Sequence, residues 1–199
     1  MTLDLHNFFK YYDDTNSNHV AAVQWLEDNL PAEYFDDSET EWVRIFRTKP
    51  PAPSVLDVPY FNQVDNYRDA HRTCNSSSCA MCLAFLKPGS IKGDDEYIKK
   101  VFAIGDTTDH AVQTKVLAGY GVKSHFSYNL SFADIDRSLD AGKPVVIGIL
   151  HRGPLSAPTG GHMVVVIGKT PDEKGYFIND PYGSCNDNYT GPVTNGKKT

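Results

Sequence analysis

The stretch Cys74-Asn-Ser-Ser-Ser-Cys-Ala-Met-Cys-Leu-Ala-Phe-Leu86 contains small and apolar residues without a charged side chain, and Lys87-Pro88-Gly89 follows it. A run without a charged face predicts a helix buried inside the domain. Cys74 opens this helix, directly after the polar residues 69–73. A thiol at a helix N-terminus lies beside unpaired N–H groups and the positive end of the helix dipole, which favour thiolate over thiol. Cys74 is therefore the candidate nucleophile.

The other cysteines stand at positions 79, 82 and 185. Cys79 and Cys82 lie inside the predicted helix, where a thiolate would be buried without support, so we expect them to be core residues. Their Cys-x-x-Cys spacing leaves open a zinc site completed by Cys74 and Cys185. Structural zinc sites usually place such pairs on glycine-bearing turns, whereas this pair is predicted to be helical. We therefore expect no metal and no cofactor.

A histidine follows a glycine pair in Gly160-Gly-His-Met-Val-Val-Val-Ile-Gly168. The apolar run predicts a buried strand that His162 opens, which would fix the imidazole on a rigid element. Gly160 and Gly161 lack side chains, so a substrate backbone could approach them closely. With Cys74 as nucleophile, His162 is the candidate general base and the two glycines are candidate substrate contacts.

Two further candidates precede and follow this pair. In Gly175-Tyr-Phe-Ile-Asn-Asp-Pro-Tyr-Gly183, a strand delivers Asp180 to a proline turn, where its carboxylate could accept the Nδ1 proton of His162. In Pro59-Tyr-Phe-Asn-Gln63, the Gln63 amide could join the Cys74 backbone N–H as a donor to an oxyanion. Either motif alone would carry little weight, and the order Gln, Cys, His, Asp gives both their meaning.

Helical patterns dominate the first two thirds of the chain and strand patterns the last third, which predicts an α+β fold. We predict further helices at 18–30, 39–47, 94–104, 109–117 and 131–141, with Asn18 and the pair Ser131 and Asp134 as caps. Strands are predicted at 54–61, 122–126, 144–150, 162–168 and 176–178. Lys49-Pro-Pro-Ala-Pro53 separates a helical appendage, residues 1–50, from a catalytic domain, residues 54–199.

The composition excludes several classes of protein. The chain has 199 residues, 40% of them hydrophobic, which is enough for one core and short for two independent domains. A net charge of −6 without a basic run argues against nucleic acid as a partner. The first ten residues lack a basic segment and an apolar core, and no apolar run approaches a bilayer thickness. We expect a soluble cytosolic product with reduced cysteines.

The order of the four motifs resembles that of the papain-like cysteine peptidases. Within them, residues 56–63, 74–81, 161–168 and 179–183 resemble the bacteriocin-processing, double-glycine peptidase family and its stand-alone relatives in bacteria and phages. The resemblance implies a papain-like fold with Gln63 as oxyanion donor, Cys74 as nucleophile, His162 as general base and acid, and Asp180 as orienting residue. Relatives usually have glycine after the nucleophile, where this chain has Asn75, a further candidate substrate contact.

The resemblance implies hydrolysis of peptide bonds, and three interpretations of the target stay open. The first is the stem or cross-link peptides of peptidoglycan, as in cell-wall endopeptidases of phages, to which another factor or a virion would carry the protein. The second is a protein or leader peptide. The third is an inactive domain that binds a peptide in a papain-like cleft. His71 and His151 are further candidate substrate contacts. The C-terminal segment 191–199 predicts a strand that turns at Asn195-Gly196 towards an absent partner, as in a truncated chain.

Overall fold

The computed structural model describes residues 15–29, 55–154, 156–172 and 174–199. The chain divides into two compact units, Met1–Pro51 and Ala52–Thr199. In the first unit, helix α1 spans Ser17–Asn29, close to the predicted 18–30. The Asn16 side chain, rather than the predicted Asn18, accepts a bond at the helix start, from the Asn18 N–H at 3.0 Å. The helix predicted at 39–47 lies outside the described residues.

In the second unit the α-helices precede the strands of the sheet. The four α-helices are α2 (Cys74–Leu86), α3 (Asp94–Ile104), α4 (His110–Gly119) and α5 (Phe132–Asp140). The Asp109 carboxylate caps α4 by accepting the Ala111 N–H at 2.8 Å, and the Ser131 N–H donates to Asp134 at 2.7 Å in the predicted capping box of α5. Short 3-10 helices lie at Ala70–Arg72, Cys185–Asp187 and Val193–Gly196.

Three antiparallel strands follow in the order β1-β2-β3. They are β1 (Val145–Arg152), β2 (Thr159–Lys169) and β3 (Tyr176–Asn179). Helices and an antiparallel sheet in one unit confirm the α+β prediction. His162 does not open β2 as predicted but is its fourth residue, because Thr159, Gly160 and Gly161 already belong to the strand.

Helix α2 lies between two apolar clusters. On one side Met81 and Cys82 pack with Val165, Val166 and Ile167 of the sheet. On the other side Cys79, Ala80 and Leu83 pack with a cluster that also contains Tyr97 and Val101 of α3 and Val116 and Leu117 of α4. Burial on both sides explains why this helix has no charged face. It confirms the prediction that α2 runs through the interior and holds Cys74 at its first position.

Two predicted strands do not form. Residues 122–126 have no strand structure, and Phe126 stacks on the ring of His110 at 3.7 Å between centroids. Of the strand predicted at 54–61, the described residues 55–61 form only an isolated bridge between Val55 and Gly168. Alternating apolar residues favour a strand only where a neighbouring strand offers a free edge, and Pro59 cannot donate to one.

The C-terminal segment also differs from its prediction. Residues Asn195 and Gly196 lie in a 3-10 helix instead of a hairpin turn. Thr199 exchanges two main-chain hydrogen bonds with Ile178, at 3.0 and 2.9 Å, and the Asp180 N–H donates to the Gly196 carbonyl at 2.8 Å. The segment thus packs against β3 and the residue that follows it, so the predicted strand facing an absent partner is wrong.

No helix in residues 15–29, 55–154, 156–172 and 174–199 has the length and apolar character that a membrane span needs.

Candidate active site

The fold brings together Cys74, His162 and Asp180, which are far apart in the sequence. Cys74 begins α2, His162 lies in β2, and Asp180 directly follows β3. The Ser78 hydroxyl of α2 donates to the Met163 carbonyl of β2 at 3.1 Å, which ties the first turns of the helix to the strand beside His162. Cys74 lies close enough to His162 for the imidazole to lower the pKa of the thiol.

The ring of His162 is oriented by its Nε2 atom, which lies 2.6 Å from Asp180 Oδ1. This corrects the prediction that Asp180 would accept the Nδ1 proton. Since Nε2 is engaged by the carboxylate, Nδ1 is the nitrogen left for the Cys74 thiol. Both side chains are buried, and Asp180 is fully shielded from solvent, so water does not compete for this bond.

The Asp180 carboxylate has further donors. Its Oδ1 accepts the Tyr182 N–H at 2.9 Å, and its Oδ2 accepts the Tyr189 hydroxyl at 3.2 Å. The main-chain carbonyl of Asp180 accepts the Tyr60 hydroxyl at 2.8 Å. Burying a carboxylate is costly unless such donors replace water. Asp180 is therefore held by contacts on both its side chain and its backbone.

The charges of Cys74 and His162 support each other. Burial alone would raise the pKa of Cys74, but the hydrogen bond and charge of His162, with the N–H groups of Met163 and Asn75, outweigh burial and lower that pKa. Burial alone would lower the pKa of His162, but the bonds to Asp180 and Cys74 raise it to about 9. Both shifts favour a thiolate–imidazolium pair, and such a pair is a ready nucleophile with an adjacent acid.

The other cysteines differ from Cys74 in their surroundings. Burial raises the pKa of Cys79 to about 12 and that of Cys82 well above its ordinary value, and it also raises the pKa of Cys185. Cys79 and Cys82 belong to the two different apolar clusters on either side of α2. In the described parts of the chain no three histidine, cysteine or acidic residues gather as a group that could hold a metal ion.

Gln63 lies in the turn before α2 and is almost fully buried, with 2% of its surface exposed. Its Nε2 donates to the Ala70 carbonyl at 2.8 Å, while its Oε1 is buried without a hydrogen-bond partner in the described structure. The backbone of Gln63 is fixed as well, because its N–H donates to the Pro181 carbonyl at 2.7 Å, next to Asp180. An amide nitrogen carries two hydrogens, so one remains after the bond to Ala70.

Asn75 does not line a cleft with its side chain, which corrects the prediction of a substrate contact there. The side chain is 3% exposed and contacts two interior groups, His110 Nδ1 at 3.3 Å and the Cys79 sulfur at 3.8 Å. The backbone N–H of Asn75 helps to lower the pKa of Cys74. Asparagine at this position therefore keeps the main-chain contact and adds an interior one.

The two glycines before His162 occupy different surroundings. Gly160 has φ +70°, and a Cβ there would lie 3.2 Å from His151 Cδ2 and 3.3 Å from Arg152. A Cβ at Gly161 would meet nothing within 4 Å. Gly160 thus leaves room for neighbouring side chains on β1, whereas only Gly161 has the open space predicted for a substrate backbone.

The serine run after Cys74 anchors α2, a role that the sequence analysis missed. The Ser77 hydroxyl donates to Asp94 at 2.5 Å and accepts a hydrogen bond from the Asn66 amide at 2.9 Å. Ser76 lies 2.7 Å from the Thr107 hydroxyl and accepts the Gln113 amide at 2.8 Å. With the Ser78 bond to β2, three successive serines join the start of α2 to three parts of the domain. Buried hydroxyls within a charge-free helix are the signal that could have indicated this.

The two additional histidines have different positions. His71 is exposed in the 3-10 helix Ala70–Arg72. The ring of His151 stacks on that of His162, with centroids 4.5 Å apart and planes at 21°, and its Nδ1 lies 2.5 Å from the Tyr189 hydroxyl. Tyr189 was not a predicted site residue. No local pattern could have indicated it, because 38 positions separate it from His151.

Comparison with known proteins identifies the family to which the chain belongs. A family model described as the Peptidase_C39 like family matches residues 55–198, which is most of the chain. The chain belongs to the Peptidase C39-like family. This confirms the resemblance drawn from the four motifs, and membership implies a peptidase. No curated protein and no solved structure matches the chain significantly.

Proposed function

We propose that this Peptidase C39-like protein is a cysteine peptidase with a papain-like fold that hydrolyses peptide bonds through a thioester. The observation that carries the proposal is the 2.6 Å bond between His162 Nε2 and the buried Asp180 Oδ1, with Cys74 near enough to His162 for its pKa to be lowered. The Cys74 thiolate attacks the peptide carbonyl carbon, and the carbonyl electron pair moves to oxygen. The His162 imidazolium then gives its proton to the leaving amine as the C–N bond breaks.

The thioester is then hydrolysed by the same groups, with His162 now acting as a base. Neutral His162 takes a proton from water, the hydroxide adds to the thioester carbonyl, and the C–S bond breaks to restore the Cys74 thiolate. Asp180 holds the ring through Nε2 and stabilises the imidazolium formed in this step. No group other than water enters, so the net reaction is hydrolysis of one peptide bond.

Two N–H groups are suited to hold the oxyanion in both steps. The Cys74 N–H lies at the first position of α2, where helix geometry provides no intrahelical acceptor. The Gln63 amide retains one hydrogen after its bond to Ala70. An oxyanion donor of this kind typically contributes about 3 kcal/mol to lowering the barrier.

For the substrate we propose the peptides of peptidoglycan as the first class to test, because the chain resembles stand-alone relatives of which some are associated with cell-wall peptides. Purified sacculi and a denatured protein are incubated separately with the full chain, and new free amines are identified by mass spectrometry. Release from sacculi alone supports the proposal, and release from the denatured protein alone replaces it with a protein-processing role. Cleavage that persists in Cys74→Ala would exclude the assigned nucleophile, and release from neither substrate would count against both classes.

A second experiment separates a peptidase from an inactive peptide-binding domain. Iodoacetamide labels thiolates, so Cys74 should react much faster than Cys79 or Cys82, and already well below pH 8.5. His162→Gln should slow the labelling of Cys74 near pH 6, because the partner that lowers its pKa is removed. Slow and equal labelling of all three thiols would favour the binding domain.

A further inference from the structure

A chain of hydrogen bonds continues from the candidate active site beyond Asp180. Asp180 Oδ1 already accepts from His162 and from the Tyr182 N–H. For Oδ2, the donor within the described part of the chain is the Tyr189 hydroxyl at 3.2 Å. The same hydroxyl lies 2.5 Å from His151 Nδ1. Tyr189 thus connects a second histidine to the carboxylate that orients His162.

The number of hydrogens that each group carries fixes the direction of donation in this series of hydrogen bonds. The Tyr189 hydroxyl carries one hydrogen and can donate it to only one neighbour at a time. Asp180 is fully buried, and a carboxylate oxygen left there without a donor is costly. When Tyr189 donates its hydrogen to Asp180, the hydrogen in the 2.5 Å contact between His151 and Tyr189 must come from His151 Nδ1–H. The order of donation is then His151 to Tyr189 to Asp180, and the neutral His151 carries its proton on Nδ1.

The strand register places His151 beside His162. Leu150 pairs with Gly161 and Arg152 with Thr159, so His151 stands opposite Gly160. His162 pairs with Ile149, which makes the two histidines diagonal neighbours on one face of the sheet. Their rings stack at 4.5 Å, and Gly160 offers no Cβ to displace the His151 ring.

The charges around His151 favour its neutral form. Burial lowers the pKa of His151, and the charges of His162 and Arg152 lower it further, against an opposing effect of Asp180. A neutral second ring avoids placing two positive imidazoliums in a stack. His162 can then carry the positive charge that the Cys74 thiolate needs.

We propose that His151 and Tyr189 are positioning residues, which donate in series to Asp180 and hold its carboxylate towards His162. The proposal rests on the proposed function only in taking Cys74 as the nucleophile. The hydrogen bonds of His151 and Tyr189 affect the reactivity of the Cys74 thiol and not the choice of substrate. It can therefore be tested without knowing which peptide the protein cleaves.

The test measures the rate of Cys74 alkylation by iodoacetamide at pH 6 in the full chain and three variants. Tyr189→Phe and His151→Phe remove one donor each, and His151→Phe keeps an aromatic ring that can stack. We expect both to slow alkylation about tenfold, which corresponds to the loss of one hydrogen bond in a charged network. His151→Asn loses the ring but keeps an N–H close to the position of Nδ1, and we expect it to stay within about threefold of the original rate.

The opposite pattern would overturn the proposal. If His151→Phe reacts at the original rate while His151→Asn is slow, the stacked ring matters and the donor does not. An unchanged rate in Tyr189→Phe would also exclude the chain of donors. Slow peptide hydrolysis with fast alkylation in the unaltered protein would count against the proposed function and leave this inference standing.

A measurement on the unaltered protein covers the case in which a variant does not fold. Nitrogen-15 NMR of the histidine side chains distinguishes the two neutral tautomers. We expect His151 to carry its proton on Nδ1 at pH 8, with Nε2 unprotonated. A proton on Nε2 would mean that His151 accepts from Tyr189, which reverses the order of donation and overturns the proposal.

Discussion

His162 Nε2 lies 2.6 Å from Asp180 Oδ1, and this bond decides which ring nitrogen of His162 is available to Cys74. With Nε2 occupied, Nδ1 is the ring nitrogen left to face the thiol. The same bond contributes to the raised pKa of His162, about 9, because the carboxylate favours the imidazolium. The bond to Asp180 therefore both orients the His162 ring and favours its charged form.

Replacing Asp180 by asparagine should move the alkaline limit of hydrolysis. The amide oxygen can still accept the Nε2–H, but it carries no charge, so the pKa of His162 falls from about 9. Protonation of the leaving amine needs the imidazolium, which is lost as pH rises through that pKa. We expect the alkaline limb of the rate profile to move to lower pH by about 1–3 units, with a loss of about tenfold at neutral pH. A profile measured across the neutral and alkaline range checks this, and an unchanged alkaline limb would contradict it.

Gln63 should affect hydrolysis without affecting the reactivity of the thiol. Loss of one oxyanion donor typically lowers kcat by about 100- to 1,000-fold, and we expect this range for Gln63→Ala. Alkylation by iodoacetamide forms no oxyanion, so its rate should stay unchanged.

The comparison of the two rates is the control for Gln63, because its amide also donates to Ala70. Gln63→Met, which is similar in length but has no donor, should behave like Gln63→Ala. Equal losses in hydrolysis and alkylation would show that Gln63 shapes the start of α2 and would remove it from the oxyanion site.

Ser77→Ala should destabilise the fold in a pH-dependent way. Burial raises the pKa of Asp94 to about 6, and the Ser77 hydroxyl, 2.5 Å away, opposes that rise by binding the charged carboxylate. Without the hydroxyl we expect a loss of about 1–3 kcal/mol in the free energy of unfolding above a pH of about 6. The loss should shrink at lower pH, where Asp94 is protonated and needs the donor less.

Urea unfolding at pH 5 and pH 8 measures this difference, and Ser78→Ala is the matched control. Ser78 donates to the Met163 carbonyl, which does not titrate, so its loss should be similar at both pH values. A Ser77→Ala effect that is the same at pH 5 and pH 8 would contradict the coupling to Asp94.

The neighbouring glycines should respond differently to alanine. At Gly160 the backbone has φ +70° and a Cβ would press on His151 and Arg152, so Gly160→Ala should lower the unfolding free energy by about 1–2 kcal/mol and slow Cys74 alkylation. A Cβ at Gly161 would meet no atom within 4 Å, so Gly161→Ala should fold normally. A raised KM in Gly161→Ala alone would place a substrate backbone there, whereas equal stability of the two variants would contradict the contact at Gly160.

Local patterns were sufficient for most elements of the second unit. Helix α3 begins and ends at the predicted residues, and the capping box at Ser131 forms as expected. Periodicity and capping are properties of neighbouring residues, so they can be read without knowing the rest of the fold. The strand predicted at 122–126 failed for the complementary reason, since a strand also needs a partner that the local sequence does not specify.

The order of Gln63, Cys74, His162 and Asp180 was readable from the sequence, because each lies in a recognisable local motif. Their detailed relationships depended on contacts between distant segments. The sequence could not show that Asp180 binds Nε2 rather than Nδ1, or that the Asn75 side chain faces His110. Both depend on the angle at which α2 meets the sheet, which the packing of the two apolar clusters sets.

The sequence by itself determined an α+β domain of the Peptidase C39-like family, with a cysteine at the first turn of a buried helix. Only the tertiary structure decided that Asp180 binds Nε2 of His162, which leaves Nδ1 for the thiol, and that Tyr189 and His151 continue the hydrogen-bond network. The physical reason is that helix and strand formation follow from residues close together in the chain. Hydrogen bonds among buried side chains depend instead on a strand register and a helix position that the whole core fixes at once.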